Sequence, residues 1–116
     1  MWEIETSDEF NLWYRELAED EAESVNASVD LLEQVGPALG RPHVDTLKGT
    51  RFPNLKELRV QHDGRPIRIL FAFDPGRVGY LILGGDKTGK DDWYKTFIPL
   101  AEKIYQRHLI ELESEV

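Results

Sequence analysis

The stretch from Leu47 to Thr88 leaves the chain few ways to fold. It holds three short apolar-rich runs, Leu55 to Gln61, Ile67 to Phe73 and Val78 to Leu83. The turn signals His62-Asp63-Gly64 and Asp74-Pro75-Gly76 separate them. Runs this short, rich in Val, Ile, Leu, Phe and Tyr and punctuated by Gly, Pro and Asp, predict an antiparallel meander. Alternation then assigns faces. In the first run Leu55, Glu57, Arg59 and Gln61 share one side, with Lys56, Leu58, Val60 and His62 on the other. In the second, Ile67, Ile69, Phe71 and Phe73 point together into a core, and Arg68, Leu70 and Ala72 lie opposite. The third is apolar on both faces and should be the most buried. The sheet is therefore expected to have one greasy face for helices and one mixed face with cations at its edges. Lys48, Arg51, Lys56, Arg59, Arg65, Arg68, Arg77 and Lys87 thread through the region. So many cations on a small sheet suit a phosphate chain.

The flanks read as helices. Trp2 to Glu5 alternates like a short strand. Thr6 and Glu9 stand at capping-box spacing, so a helix is expected from near Ser7, with Phe10, Trp13, Tyr14 and Leu17 on one face. Asp20 and Glu23 repeat the capping signal. Ala22, Val25, Val29, Leu32 and Val35 then make the stripe of a second helix, ended by Gly36-Pro37. Gly36 to Thr50 reads as a loop long enough to be functional, pinned by Leu39, Val44 and Leu47. Gly84-Gly85 turns the chain off the last strand. The following Asp86-Lys87-Thr88-Gly89-Lys90 lacks the full phosphate-loop pattern, because Asp91 follows Lys90. Asp91 or Asp92 can cap a C-terminal helix through Trp93, Phe97, Leu100, Ala101, Ile104, Tyr105 and Leu109, kinked or restarted at Pro99. Residues 111–116 are expected to fray. The whole is an α+β fold in one domain, residues 1–116.

Composition narrows the function. The chain has 116 residues, a net charge of −8 and no cysteine, so disulfides and thiolate metal sites are excluded. No apolar run approaches a membrane span, and the acidic start is unlike a signal peptide, which makes a cytoplasmic location the expectation. The charge is unevenly spread. Residues 1–34 hold 11 acids and one base, whereas residues 35–110 hold 13 bases and eight acids. That split predicts two faces with different partners, unless the acids merely solvate the helices. His43, His62 and His108 are scattered, without carboxylates at ligand spacing, so no metal site and no cofactor is expected. There is no G-x-S-x-G nucleophile motif and no paired-carboxylate context.

What remains is the cationic set. Arginine suits bidentate phosphate contacts, and lysine supplies a point charge. Beside Trp93 and Tyr94 these residues make a kit for single-stranded RNA, with phosphates on the cations and bases on the rings. The competing reading makes Trp93 core and the arginines solvated edge residues that blunt strand pairing.

Several linked segments carry a family resemblance. They are Leu47-Lys48-Gly49, Leu55-Lys56-Glu57-Leu58-Arg59, Gly64-Arg65, Arg68-Ile69-Leu70-Phe71, Gly84-Gly85-Asp86-Lys87, Trp93-Tyr94 and Ile98-Pro99-Leu100-Ala101. In that order they resemble the HigB-type branch of the RelE/ParE toxin superfamily, in a phage-derived subgroup. The resemblance implies a RelE-like fold: an N-terminal strand and two-helix hairpin packed on a small, mostly antiparallel sheet, then a C-terminal helix. It implies a toxin–antitoxin system, a helix-turn-helix antitoxin as partner in a hetero-oligomer, and metal-free cleavage of mRNA on the ribosome. The alternatives are a ParE-like gyrase inhibitor and a non-catalytic binding protein of the same family. Carried over by position, Arg68 supports the scissile phosphate, Lys87 stabilises charge or acts as acid, and Tyr94 orients a base or moves a proton. Lys48, Lys56, Arg59, Arg65 and Trp93 become RNA contacts. His62 and His108 are the only histidines in this half that could serve as base or acid, and neither stands where the family pattern places one.

Overall fold

The computed structural model describes residues 1–115 and is built on a five-stranded sheet. In chain order the elements are β1 (Ile4–Thr6), α1 (Asp8–Arg15), α2 (Glu19–Val35), a 3-10 turn (Gly36–Ala38), β2 (Val44–Thr46), β3 (Lys56–His62), β4 (Arg65–Phe73), β5 (Gly79–Asp86) and α3 (Trp93–Ser114). The strands lie in the order β1-β5-β4-β3-β2. β1 runs parallel to β5, and the other pairings are antiparallel. The α+β architecture, the meander and the C-terminal helix stand as the sequence predicts.

Helix starts follow local chemistry. Ser7 is the N-cap of α1: its Oγ accepts from Phe10 N and donates to the Ile82 carbonyl, tying the helix start to β5. α2 starts at Glu19, before the expected Asp20, and Glu21 Oε1 accepts from Ala18 N, satisfying one free donor. The Asp63-Gly64 pair has positive φ at both residues, 48° and 76°, the geometry of a tight I′ hairpin.

Helices cover both faces of the sheet. α1 and α2 bury Phe10, Val25 and Leu32 against Leu58, Val60, Ile67, Ile69, Phe71 and Leu81. α3 buries Trp93, Ala101, Ile104 and Tyr105 against Leu55, Leu70, Ala72 and Ile82. The expected division into a greasy face and a mixed face therefore holds only near the β3–β4 hairpin. Toward the other end β4 and β5 are apolar on both sides and take a helix on each.

Three local expectations change. The Gly36–Thr50 segment contains β2, a three-residue edge strand imposed by its pairing with β3 rather than by any pattern of its own. Gly84 and Gly85 do not end the strand. They lie within β5, where a Cβ on Gly84 would overlap the Trp13 ring and one on Gly85 would come within 2.9 Å of Trp93. α3 runs unbroken through Pro99 to Ser114, so most of the stretch expected to fray is helical, and Val116 lies outside the described residues.

Candidate active site

The residues that matter come from three neighbouring strands and the first turn of α3. Arg59 on β3 and Arg68 on β4 are direct cross-strand partners, and Gly85 on β5 is the next residue in the row. Two residues before Arg59, and so on the same face, stands Glu57, only 5% exposed. Its Oε2 lies 3.2 Å from Arg59 Nη2, and its Oε1 lies 3.6 Å from Arg68 Nε. The Tyr94 hydroxyl donates to the same Oε1 at 2.5 Å. Lys87 Nζ sits 5.1 Å from the centre of the Tyr94 ring, within cation–π reach. Asp45 on β2 completes the ring: its Oδ2 accepts from Arg59 at 3.0 Å and from Arg41 at 2.9 Å.

Trp93 explains why Tyr94 is held so firmly. Trp93 is 2% exposed and fills the space over Gly85 that no side chain occupies. The residue after it is thereby aimed across the sheet toward Glu57. Two shallow clefts of about 370 and 410 Å³ meet at Tyr94. Pro66, Lys87, Thr88, Gly89, Lys90 and Asp91 line one, and Arg41, Asp45, Lys48, Glu57, Arg59 and Ile98 line parts of the other.

The electrostatics follow from burial. Loss of solvent, then the hydrogen bond to Glu57 and its negative charge, push the Tyr94 phenol up to about 12; Arg68 opposes this without reversing it. Tyr94 is therefore a neutral hydroxyl at physiological pH. Arg41 holds the Asp45 carboxyl below the usual range. The Arg68 side chain is 12% exposed, its Nη1 donates to the Ile67 carbonyl, and its buried Nε has no hydrogen-bond partner among the described residues. Glu57 Oε1, at 3.6 Å, neutralises this edge without hydrogen-bonding it, which leaves donor capacity for an anion.

The structure gathers some predicted residues and separates others. Arg59, Arg68, Lys87, Tyr94 and Lys48 share this region. Trp93 is core and offers no face for base stacking, so its expected RNA contact falls away. Arg65 and Lys56 belong to the opposite face of the sheet by strand alternation. Arg65 is bound to Glu21 at 2.6 Å and to Asp86 at 3.3 Å, so it spends its charge on α2 and β5. His108 is buried at the far end of α3, its Nε2 donating to Asp74 Oδ2 at 2.8 Å, and His62 packs against α2. Neither reaches the cleft. The residues that sequence reasoning passed over are Glu57 and Asp45. Glu57 had a signal, as the one carboxylate on the cationic face of its strand.

A five-stranded sheet with a helical hairpin on one face, a long C-terminal helix on the other and a cationic cleft at the hairpin end is the RelE fold. A solved structure of the E. coli toxin RelE, a mutant with two arginines changed to alanine in the free state, superposes with a TM-score of 0.59. The match takes in 78% of this chain and 87% of that one at 12% identity. Residues 12–106 match the family described as phage derived protein Gp49-like, and the chain belongs to that family. It is 50% identical over 92 residues to "Putative toxin HigB3" of Mycobacterium tuberculosis (strain ATCC 25618 / H37Rv), across 78% of this chain and 79% of that protein. It is 42% identical over 104 residues to "Putative toxin HigB2" of the same strain, across 88% of this chain. The chain spans about half the length of that second relative, 52%. These matches place it among the HigB-like members of that family, and its likeness to RelE is one of fold.

Proposed function

We propose that this protein is the toxin of a toxin–antitoxin pair and cleaves mRNA on the ribosome without a metal. The observation that carries the reading is the buried Glu57 carboxylate, joined at once to two arginines and to the Tyr94 hydroxyl at the mouth of a cationic cleft. The relatives' printed names support the toxin role, and an antitoxin partner follows from it.

The chemistry fits the groups. Arg59 and Arg68 hold the non-bridging oxygens of the scissile phosphate and neutralise the charge that grows there. The ribose 2′-OH gives its proton to Tyr94 Oη as the Tyr94 proton passes to Glu57. The Tyr94 phenol resists becoming a free phenolate, so the proton is relayed rather than lost. The new bond from O2′ to phosphorus forms as the bond to O5′ breaks, leaving a 2′,3′-cyclic phosphate. The Lys87 ammonium, beside Tyr94, supplies the proton to O5′. Lys48 and Arg41 extend the positive surface along the strand's backbone.

The test is induction of the protein with mapping of mRNA 5′ ends, with and without translation. Wild type should produce translation-dependent ends. Arg68→Ala, Lys87→Ala and Tyr94→Phe should each cut their yield by roughly 100-fold or more, in the range of a lost general acid–base or oxyanion group. Full toxicity in Arg68→Ala and Lys87→Ala would refute the site. Intact mRNA together with inhibited gyrase supercoiling would refute the reaction.

A further inference from the structure

On the other face of the sheet, the tip of the β3–β4 hairpin packs against the start of α2. There His62, Asp63 and Asp20 bring one imidazole nitrogen and two carboxylates within 4.8 Å of one another. Asp20 comes from the first turn of α2, so the cluster exists only in the folded chain. The sequence, which shows His62 without a second carboxylate nearby, gave no sign of it.

His62 is 8% exposed. Its Nδ1 lies 2.7 Å from Ser24 Oγ, whereas its buried Nε2 has no hydrogen-bond partner among the described residues. That Nε2 is 3.3 Å from Asp20 Oδ2 and 3.4 Å from Asp63 Oδ2. If the imidazole were simply paired with either carboxylate, a directed hydrogen bond should join them, and none does. A tetrahedral ion, with metal–nitrogen and metal–oxygen bonds of about 2.0–2.2 Å, sets its ligand atoms about 3.3–3.5 Å apart. The two observed separations are of that size. Ser24 supplies the outer contact that metal-binding histidines normally have: with Nδ1–H donating to its hydroxyl, the Nε2 lone pair is left for an ion. The neighbouring Arg65, which would otherwise repel a cation, is already neutralised by Glu21 and Asp86.

We propose that Asp20, His62 and Asp63 form a site for a divalent transition metal of the zinc class, with water in the fourth position. Its ligands are mixed nitrogen and oxygen, which suits zinc and not the all-oxygen, octahedral shell magnesium requires. The site is a staple: it ties the hairpin that carries Glu57, Arg59 and Arg68 to the helical hairpin on the opposite face.

The test is calorimetric titration of the full chain, freed of metal, with zinc chloride and separately with magnesium chloride, together with the visible spectrum of the cobalt form. Zinc should bind one to one in the micromolar range or tighter and raise Tm; cobalt added to the metal-free chain should give a tetrahedral spectrum that zinc abolishes by displacing it, and magnesium should give no saturable heat. Asp20→Asn and Asp63→Asn alter exposed side chains, 67% and 80% exposed, so both variants should fold as wild type does. Each should weaken zinc by at least ~10-fold, and Ser24→Ala by about 10–100-fold. Absence of saturable one-to-one zinc binding up to millimolar, or undiminished binding in the Asp20→Asn/Asp63→Asn double variant, would overturn the proposal.

Discussion

Glu57→Gln separates the structural part of the cleft from its chemistry. The carboxylate is 5% exposed and lies 3.2 Å from Arg59 and 3.6 Å from Arg68. At an effective dielectric near 20, each contact at such a distance is attractive by roughly 5 kcal/mol before desolvation is counted. Removing one partner of a buried ion pair costs roughly 3–5 kcal/mol, because the remaining charge is stranded. Glutamine keeps the shape, and its carbonyl can still accept from Tyr94, so the low end of about 3 kcal/mol is expected. With a urea m-value of roughly 1.5 kcal/mol/M for a domain of this size, the midpoint should fall by about 2 M at unchanged m. Tyr94→Phe removes only the hydroxyl and should cost roughly 1 kcal/mol. The double variant should show coupling of about 1 kcal/mol, because the two groups share one hydrogen bond. Urea unfolding followed by circular dichroism reads all four proteins. A Glu57→Gln midpoint within 0.3 M of wild type would show that this carboxylate does not hold the two arginines in place, and the proposed relay would lose its anchor.

Other outcomes follow from the same contacts. The Tyr94 phenol is raised from its ordinary 10 to about 12, so the folded state keeps its proton where the unfolded chain has lost it. Stability from this group is full below pH 10 and is lost as pH rises from 10 through 12, by about 1 kcal/mol once its partial exposure is discounted; alkaline unfolding of wild type against Tyr94→Phe measures it by difference. Gly84→Ala forces a methyl into the Trp13 ring and should cost roughly 1–3 kcal/mol, read as a lower Tm. Arg107 joins α3 to α1 through two hydrogen bonds to Glu9, of 2.7 and 2.9 Å, on a half-exposed surface. Arg107→Ala should therefore cost no more than about 1 kcal/mol, with the difference from wild type shrinking in 1 M salt.

The fold was legible where burial and local chemistry agree. The three meander strands announce themselves because each is a short apolar-rich run, the first two showing alternation and the third apolar throughout, and turn signals separate them. Gly36 marks the end of α2 by chemistry local to the chain, whereas the cap of α1 is Ser7, one residue after the expected Thr6, and its hydroxyl also bonds the Ile82 carbonyl of β5. β2 was not legible, because Val44–Thr46 becomes a strand only by lying against Leu58, Glu57 and Lys56. Gly84 and Gly85 were misread for a related reason: their role is to admit two tryptophans from other elements, which a linear chain does not display. At the site, Arg59 and Arg68 could be named as cations but not as neighbours. Glu57 stayed unseen because a single acid on a basic strand reads as a surface charge until Tyr94 is known to descend on it.

The Arg59–Arg68 pair bears most directly on function. Like charges set directly opposite across two antiparallel strands repel, and a sheet selected only for stability would replace one of them. Here the repulsion is met by Glu57 on one side and Asp45 on the other, yet the buried Arg68 Nε, 3.6 Å from Glu57 Oε1, has no hydrogen-bond partner among the described residues. Arg41 and Lys48 line one of the two clefts that meet at Tyr94 and Lys87 and Lys90 the other, so cations outnumber the carboxylates of Asp45, Glu57 and Asp91. A local conflict of this kind, retained in a well-packed part of the sheet, is expected where a ligand resolves it. A phosphate would do so: it offers oxygens in the plane of a guanidinium fork and brings the negative charge the pair lacks. It follows that an oxyanion should stabilise the folded protein and that Arg68→Lys should remove most of this effect while conserving charge, since an ammonium has no fork. Raising phosphate from zero to 50 mM at constant ionic strength should lift wild-type Tm and leave Arg68→Lys nearly flat. Equal shifts in the two proteins would mean that the anion binds elsewhere and that the paired arginines serve the sheet alone.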